Sequence, residues 1–139
     1  MKHWLFLCTG NSCRSQMAEA WLRHLSGDQI VVESAGIESH GLNPYAVNVM
    51  EEVGISMSGH QSTVIDQLDL SSLDVLVTVC DHAKATCPIV ITKALQLHHS
   101  FTDPSSVSGT EAHVLSHFRA VRDDIKAYCQ TLVNTYHLS

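Results

Sequence analysis

The order of an apolar run, a short polar loop and a helix at the start of the chain most constrains its fold. Trp4-Leu5-Phe6-Leu7 is a run of large apolar side chains and predicts a strand over residues 3–8. The stretch Cys8-Thr9-Gly10-Asn11-Ser12-Cys13-Arg14-Ser15 follows directly and leads into Met17-Ala18-Glu19-Ala20-Trp21-Leu22. The second run predicts a helix over residues 15–25 that ends near Gly27. Residues 8–15 are therefore expected to form a strand-to-helix turn.

Three further segments have the composition of strands. Ile30-Val31-Val32-Glu33-Ser34 is β-branched and is closed by Ala35-Gly36. Residues 75–79 form a continuous apolar run, which is typical of a strand buried on both faces. Residues 94–98 indicate a weaker strand. With the strand over residues 3–8, these segments predict a sheet of four strands.

Helices are predicted between and after these strands. Asn43 and Pro44 mark a helix start, with core positions that continue through Val53 to Gly54. A short helix is predicted over residues 81–87. Ser108 and Glu111 have the spacing of a capping box before a long final helix. The apolar stripe of that helix consists of Val114, Phe118, Val121, Ile125, Tyr128, Leu132 and Val133, with Cys129 beside it as a buried thiol.

Alternation of strands and helices defines the fold class. It implies α/β architecture with a four-stranded parallel sheet and helices on both faces. We find no repeat or linker, so we predict one domain over residues 1–139. In such sheets ligands bind at the carboxyl ends of the strands. Cys8 and Cys80, which each end a predicted strand, are expected at that edge.

Charge and cysteine content limit the partners. The formal net charge is −6, so a nucleic-acid partner is not expected. No apolar stretch has the length of a secretory signal or a membrane span. We therefore expect a monomeric cytoplasmic protein, in which the five cysteines stay reduced. Ten histidines are many, but His113 and His117 lack a convincing third ligand, so no metal site is predicted.

The stretch 8–15 has the residues of an oxyanion-binding loop. Backbone N–H groups of Thr9, Gly10, Asn11, Ser12 and Cys13, with the following helix N-terminus, can ring a tetrahedral anion. Arg14 can bind two of the anion's oxygens in a planar fork. The same positive field favours the thiolate of Cys8, and Ser15 is placed to donate a hydrogen bond to it.

Each of these residues alone also has a structural explanation. On its own, Cys8 is explained as the end of a buried strand, and Arg14 as a solvated residue at a helix start. Their combination with Gly10 and Asn11, which tolerate the left-handed conformations of a tight loop, favours an anion site.

Cys80 and Cys87 form a second group of thiols. Zinc prefers closer cysteine pairs and needs four ligands, so a structural metal site is not expected. Two inert buried thiols are the structural alternative, but beside the Cys8 loop a redox pair is favoured. In a continuous helix over residues 80–87 the two Cα atoms would be roughly 10 Å apart. A disulfide needs about 7 Å or less, so oxidation should also bend or unwind this segment.

Asp103, in Asp103-Pro104-Ser105, supplies a candidate acid. Reaction at an oxyanion leaves an oxide that must be protonated, and a loop carboxyl within reach can do this. An Asp-Pro turn without a catalytic role is the structural alternative.

These motifs together resemble a known family, over nearly the whole chain. Residues 8–19, Ser34-Ala-Gly-Ile-Glu38, His40-Gly-Leu-Asn-Pro44, Cys80 with Cys87-Pro88, and Asp103-Pro104 resemble the thioredoxin-coupled arsenate reductases. These reductases have the low-molecular-weight tyrosine phosphatase fold. The first loop is shared with the phosphatases, and the added thiol pair is specific to the reductases.

The resemblance implies a mechanism. Cys8 would attack arsenate held by the loop and Arg14, while Asp103 protonates the departing oxygen. Cys80 would then form a Cys8–Cys80 disulfide and release arsenite. Cys87 would move the disulfide to Cys80–Cys87, where thioredoxin reduces it. Cys13 and Cys129 have no assigned step and are expected to be dispensable.

Two residues depart from the family pattern, and the first of them lies at a position where some members bind a cation. Some members bind potassium through residues that match Asn11, Glu19 and Ser34 together with an aspartate. Thr63 stands at the aspartate position here, which argues against that site. His99 stands where a tryptophan is common. Otherwise no tightly bound cofactor is implied, although sulfate or phosphate could occupy the loop.

Two other functions remain open at this point. A tyrosine phosphatase would use the same loop and Asp103, but such enzymes tend to have a tyrosine where this chain has Ser105. Weak phosphatase activity is expected even of a reductase. A non-catalytic oxyanion-binding redox sensor, which signals through residues 80–87, is the second alternative.

Overall fold

A computed structural model describes residues 2–79 and 92–139. Its strands are β1 (His3–Cys8), β2 (Val31–Gly36), β3 (Val75–Thr78) and β4 (Leu95–His98). Its helices are α1 (Arg14–Ser26), α2 (Pro44–Glu51) and α3 (Glu111–Tyr136), with short 3-10 turns at Ile65–Gln67 and Pro104–Ser106. The predicted α/β class is confirmed. The predicted helix over 81–87 lies outside the described residues.

The four strands form one parallel sheet in the order β2-β1-β3-β4. Cys8, the last residue of β1, lies opposite Gly36, the last residue of β2. Thr78 at the end of β3 lies opposite Leu7. The carboxyl ends of the central strands therefore meet at one edge of the sheet, where α/β proteins bind ligands.

Alternate residues of β1 face the two sides of the sheet. Trp4 and Phe6 lie in a large apolar cluster to which all three helices contribute. Leu5 and Leu7 lie in a smaller cluster on the other side, which Leu73 and Leu76 share. All four of these β1 side chains are fully buried, so the hydrophobic effect fixes β1 as the central element of the fold.

Helix α1 begins and ends within one residue of the predicted bounds 15–25. Gly27 follows it with φ +63°, a left-handed conformation that glycine adopts without strain. Asn43 caps α2 by accepting a hydrogen bond from the backbone N–H of Tyr45, with Pro44 in the first turn. None of the described helices is long and apolar enough to cross a membrane.

Two predicted boundaries were wrong. Helix α2 ends at Glu51, before Val53, because the chain turns there and Gly54 has φ +81°; Val53 is consequently 40% exposed. The cap of α3 is Thr110 and not Ser108, since the Thr110 hydroxyl accepts from the N–H of His113. Thr110 has the extended backbone that directly precedes a helix, whereas Ser108 lies two residues too early. The apolar stripe of α3 faces the core as predicted, although Val114 and Tyr128 are only partly buried.

Candidate active site

The loop between β1 and α1 is held by backbone hydrogen bonds from a neighbouring segment. Three backbone N–H groups of residues 38–43 donate to loop carbonyls at 3.0 Å each: Glu38 to Thr9, His40 to Gly10 and Asn43 to Ser12. In a trans peptide the next N–H points opposite to the carbonyl. The N–H groups of Gly10, Asn11 and Cys13 therefore point away from this segment, toward the concave side of the loop.

Gly36 allows the loop to lie against the end of β2. A Cβ atom at this position would lie 2.6 Å from the carbonyl oxygen of Thr9 and 2.8 Å from the backbone nitrogen of Asn11. Neither backbone atom can move without changing the loop. Asn11 itself has φ +49°, the left-handed conformation that asparagine tolerates better than most residues.

Cys8 lies beside the hydroxyl of Ser15 inside the loop. The Sγ–Oγ distance is 2.9 Å, and both residues are buried. Asn11 donates from Nδ2 to the same hydroxyl oxygen at 2.8 Å. Because a hydroxyl has one proton and Asn11 occupies a lone pair, Ser15 can direct that proton to Cys8.

Arg14, at the start of α1, is buried, and one of its guanidinium nitrogens has no hydrogen-bond partner among the described residues. Its Nη1 donates to the carbonyl of Phe101 at 3.2 Å, and its Nη2 lies 3.6 Å from Oδ2 of Asp103. Its Nε is buried and has no hydrogen-bond partner within the described chain. An unpaired guanidinium donor is costly in the interior, so this position favours an anionic oxygen.

Asp103 enters the site from the loop after β4. Its carboxylate accepts from the N–H and the hydroxyl of Ser105, at 3.0 and 2.6 Å, which caps the turn Pro104–Ser106. Cys13 Sγ lies 3.9 Å from Oδ1 of Asp103. Burial, with Asp103 as the next cause, raises the pKa of Cys13 to about 12. Cys13 is consequently a neutral thiol beside the acid.

The residues named for potassium do lie near one another, but their oxygens already accept protein hydrogen bonds. Glu19 accepts from Arg23 at 2.7 Å and from the hydroxyl of Ser34 at 2.6 Å. Oδ1 of Asn11 accepts from the backbone N–H of Thr63 at 2.8 Å. Each of these oxygens therefore already has a protein donor in this structure.

Three polar residues beside the loop were missed by sequence reasoning. Gln16 is fully buried and donates to Asn11, His60 faces Gln16, and Arg23 faces His60. A glutamine next to the loop on a helix face that is otherwise apolar was the available signal for Gln16. His60 is 44 residues away in the sequence, and no local pattern connects it to the loop.

The structure brings most of the predicted residues together. Cys8, Arg14, Ser15 and Asp103 lie at the carboxyl edge of the sheet. Cys80 and Cys87 lie outside the described residues. His113 and His117 pack ring against ring on α3, with centroids 4.8 Å apart. The fold and the loop together define a class of protein in which a buried cysteine at a strand end lies in one loop with a buried arginine at the start of the next helix.

Comparisons with known proteins agree with this class. Residues 3–138 match the family described as low molecular weight phosphotyrosine protein phosphatase. An arsenate reductase of Halalkalibacterium halodurans is 47% identical over 130 residues, 94% of each chain. An arsenate reductase of Bacillus subtilis is 49% identical over 120 residues, 86% of each chain. A solved structure of an arsenate reductase in oxidized state has a TM-score of 0.82 at 33% identity and covers 100% of both chains.

The chain therefore belongs to the low molecular weight phosphotyrosine protein phosphatase family and, within it, to the arsenate reductases. The predicted resemblance is confirmed by these matches.

Proposed function

We propose that this chain reduces arsenate to arsenite, with Cys8 as the nucleophile. The observation that carries the proposal is the buried Nε of Arg14, which has no partner in the described structure and belongs to the first helical residue after the loop that begins at Cys8. A tetrahedral oxyanion would satisfy this donor and the inward N–H groups together. The names of the relatives support arsenate as that oxyanion.

The chemistry begins with the Cys8 thiolate. It attacks arsenic(V), and one arsenate oxygen departs as water after Asp103 and solvent supply its protons. Cys80 then attacks the Cys8 sulfur, which breaks the sulfur–arsenic bond and leaves arsenic(III) as arsenite. The two electrons gained by arsenic equal the two lost in forming the Cys8–Cys80 disulfide.

Two further exchanges restore the enzyme. Cys87 attacks Cys80, so that the disulfide moves to Cys80–Cys87 and Cys8 becomes a thiolate again. Thioredoxin, which supplies two electrons, would reduce that disulfide. Such a cycle requires a reducing compartment, which supports a cytoplasmic location.

Arsenate-dependent oxidation of NADPH, coupled through thioredoxin and its reductase, tests this function. Turnover is expected for the wild type and for Cys129→Ser, and is expected to vanish in Cys80→Ser. Absence of wild-type turnover with both thioredoxin and glutaredoxin would reject the reductase. Turnover with glutaredoxin and glutathione alone would reject the proposed reductant.

Weak phosphatase activity is a second proposed property of the same site. Attack on a phosphate monoester needs only Cys8, Arg14 and Asp103. Hydrolysis of an aryl phosphate should therefore survive in Cys80→Ser. Phosphate and sulfate, which share the tetrahedral shape, should compete with arsenate for the loop.

A further inference from the structure

A continuous path of polar side chains runs from α1 to the Cys8 sulfur. Each step is one contact: Arg23 Nη1 to His60 Nε2 at 3.5 Å, His60 Nδ1 to Gln16 Oε1 at 3.0 Å, Gln16 Nε2 to Asn11 Oδ1 at 3.1 Å, Asn11 Nδ2 to Ser15 Oγ at 2.8 Å, and Ser15 Oγ to Cys8 Sγ at 2.9 Å. We propose that this path is a unidirectional chain of hydrogen-bond donors that stabilises the Cys8 thiolate, with Arg23, His60 and Gln16 as positioning residues. The proposal rests on the proposed function only in taking Cys8 as the attacking thiolate.

The orientation of the Gln16 amide is fixed by its surroundings. Its Nε2 lies 3.2 Å from the backbone oxygen of Asn11, 3.1 Å from Oδ1 of Asn11 and 2.9 Å from the backbone oxygen of Gln61. All three are acceptors, so the group that faces them must be the amide nitrogen, whose two hydrogens they share. The Gln16 oxygen therefore faces His60, and Nδ1 of His60 must donate to it.

The orientation of the Asn11 amide follows in the same way. Oδ1 of Asn11 accepts from Gln16 and from the backbone N–H of Thr63, which can only donate. The Asn11 nitrogen consequently faces Ser15 and donates to its hydroxyl. The single proton of Ser15 is then free for Cys8, and a sulfur that accepts this proton is favoured as the thiolate.

Arg23 determines the state of His60 at the other end. A guanidinium cannot accept a hydrogen bond, so Nε2 of His60, which faces it, must be the acceptor. Acceptance by Nε2 requires a neutral ring, and donation from Nδ1 to Gln16 then places the single ring proton on Nδ1. Burial and then Arg23 lower the pKa of His60, while Glu19, 3.7 Å from Nδ1, opposes them.

Arg23 also supplies the positive charge beside Glu19. Its Nη2 donates at 2.7 Å to Glu19 and at 2.7 Å to the carbonyl of Val32. Arg23 and Glu19 are four residues apart on α1, so the ion pair forms within one helix. The chain should therefore function without a bound monovalent cation.

Alkylation of Cys8 by iodoacetamide as a function of pH measures this stabilisation directly. The peptide that carries Cys8 is identified by mass spectrometry, so that other thiols do not interfere. Gln16→Met keeps the length of the side chain but removes its donor. We expect the midpoint of the alkylation profile to rise by about one pH unit, because loss of the Gln16 donor frees the Asn11 amide to turn and so weakens the hydrogen bond from Ser15 to the charged sulfur.

Variants at His60 separate the hydrogen bond from packing. His60→Gln retains an amide donor toward Gln16 and should keep the wild-type midpoint, whereas His60→Leu should raise it. Arg23→Gln should raise the midpoint by less. The control is Arg119→Gln, which removes an exposed arginine of α3 that is paired with Glu52, and it should leave the midpoint unchanged. Thermal melting of each variant identifies loss of fold.

The possible results have distinct meanings. A wild-type midpoint near that of a free cysteine, about 8.5, would reject Cys8 as a resident thiolate and with it the proposed function. A low wild-type midpoint that neither Gln16→Met nor His60→Leu moves, in folded proteins, would reject the donor chain alone. A shift of the wild-type midpoint when KCl replaces NaCl at equal ionic strength would overturn Arg23 as the resident cation.

Discussion

The Sγ of Cys8 and the Oγ of Ser15 are 2.9 Å apart, although the two residues belong to different elements. Cys8 ends β1 and Ser15 lies in the first turn of α1. The close approach requires the left-handed turn at Asn11, which returns the chain so that the helix begins beside the strand end. The loop thus brings the nucleophile and a hydroxyl donor together over seven residues.

Ser15→Ala should lower the arsenate-dependent kcat/KM about 10- to 100-fold, since a hydrogen bond to a charged group contributes about 1.5–3 kcal/mol. The loss should appear as slower alkylation of Cys8 at pH 7, with little change in melting temperature. Ser116→Ala, which removes an exposed hydroxyl on α3, is the matched control. Equal alkylation rates in Ser15→Ala and the wild type would contradict this role.

Gly36→Ala should distort the oxyanion loop, because the added Cβ meets the backbone of Thr9, Asn11 and Glu38 at 2.6–2.8 Å. We expect a loss of about 1–3 kcal/mol in the free energy of unfolding, as for other overpacked sites, and weaker binding of phosphate. Urea denaturation and calorimetric titration measure these two effects.

Gly10→Ala provides the comparison, since the atoms nearest its Cβ belong to the imidazole of His40. This side chain is half-exposed and can turn aside, so Gly10→Ala should cost less stability than Gly36→Ala. A larger loss for Gly10→Ala than for Gly36→Ala would argue against backbone contact as the cause.

The parts of the fold that sequence predicted are those set by short-range patterns. Apolar runs locate β1 and β3, and the Asn43-Pro44 cap locates the start of α2. The missed boundaries involve competing local signals, such as two possible caps at Ser108 and Thr110. Such choices depend on which residue the tertiary structure places next to the first turn.

The residues of the candidate site likewise fall into those that the local sequence predicts and those that only a long-range contact reveals. Cys8, Arg14 and Ser15 are adjacent in sequence, and the chemistry of a thiol before an arginine identifies them. The role of His60 depends on a contact with Gln16 that joins residues 44 positions apart. A single sequence does not show which distant residues come into contact, so only the three-dimensional structure connects His60 to the loop.

Cys13 should resist alkylation where Cys8 reacts. Its pKa is raised to about 12, first by burial and then by Asp103, so at pH 8 it stays protonated and unreactive. Burial also raises the pKa of Cys129. At pH 8, iodoacetamide should label Cys8 and neither Cys13 nor Cys129, and all three should be labelled in urea. Labelling of Cys13 at the Cys8 rate in the folded protein would contradict its burial.

Glu52 links α3 to the end of α2 and should make stability depend on pH. Hydrogen bonds from Arg119 and, to a smaller extent, Arg122 lower the pKa of Glu52 below 4.5. A lowered pKa in the folded state stabilises the fold above pH 4.5, and this stabilisation is lost as pH falls through the folded pKa. Glu52→Gln should melt below the wild type at pH 7, and the difference should shrink under acid conditions.

The matched control is Glu51→Gln, which neutralises the adjacent carboxylate on α2. The melting temperatures of the two variants should differ most above about pH 4.5, and the difference should shrink as the pH is lowered from there toward 3. A difference between Glu52→Gln and the wild type that stays constant over this range would show that packing, rather than charge, accounts for the loss.

Asp103→Asn should separate oxyanion binding from proton transfer. The carboxylate lies 3.6 Å from Arg14 Nη2 but makes its short hydrogen bonds within its own turn, to Ser105. An amide can keep those contacts through its oxygen, so phosphate should still bind. It cannot protonate a departing oxygen, and hydrolysis of an alkyl phosphate should fall about 10²–10⁴-fold. The leaving group of a phenyl phosphate with a strongly acidic phenol needs less protonation, so hydrolysis of that substrate should fall less.

Asp124→Asn, on the exposed side of α3, serves as control. Equal losses for both substrates, or a loss of phosphate binding, would assign Asp103 a structural role in place of proton transfer.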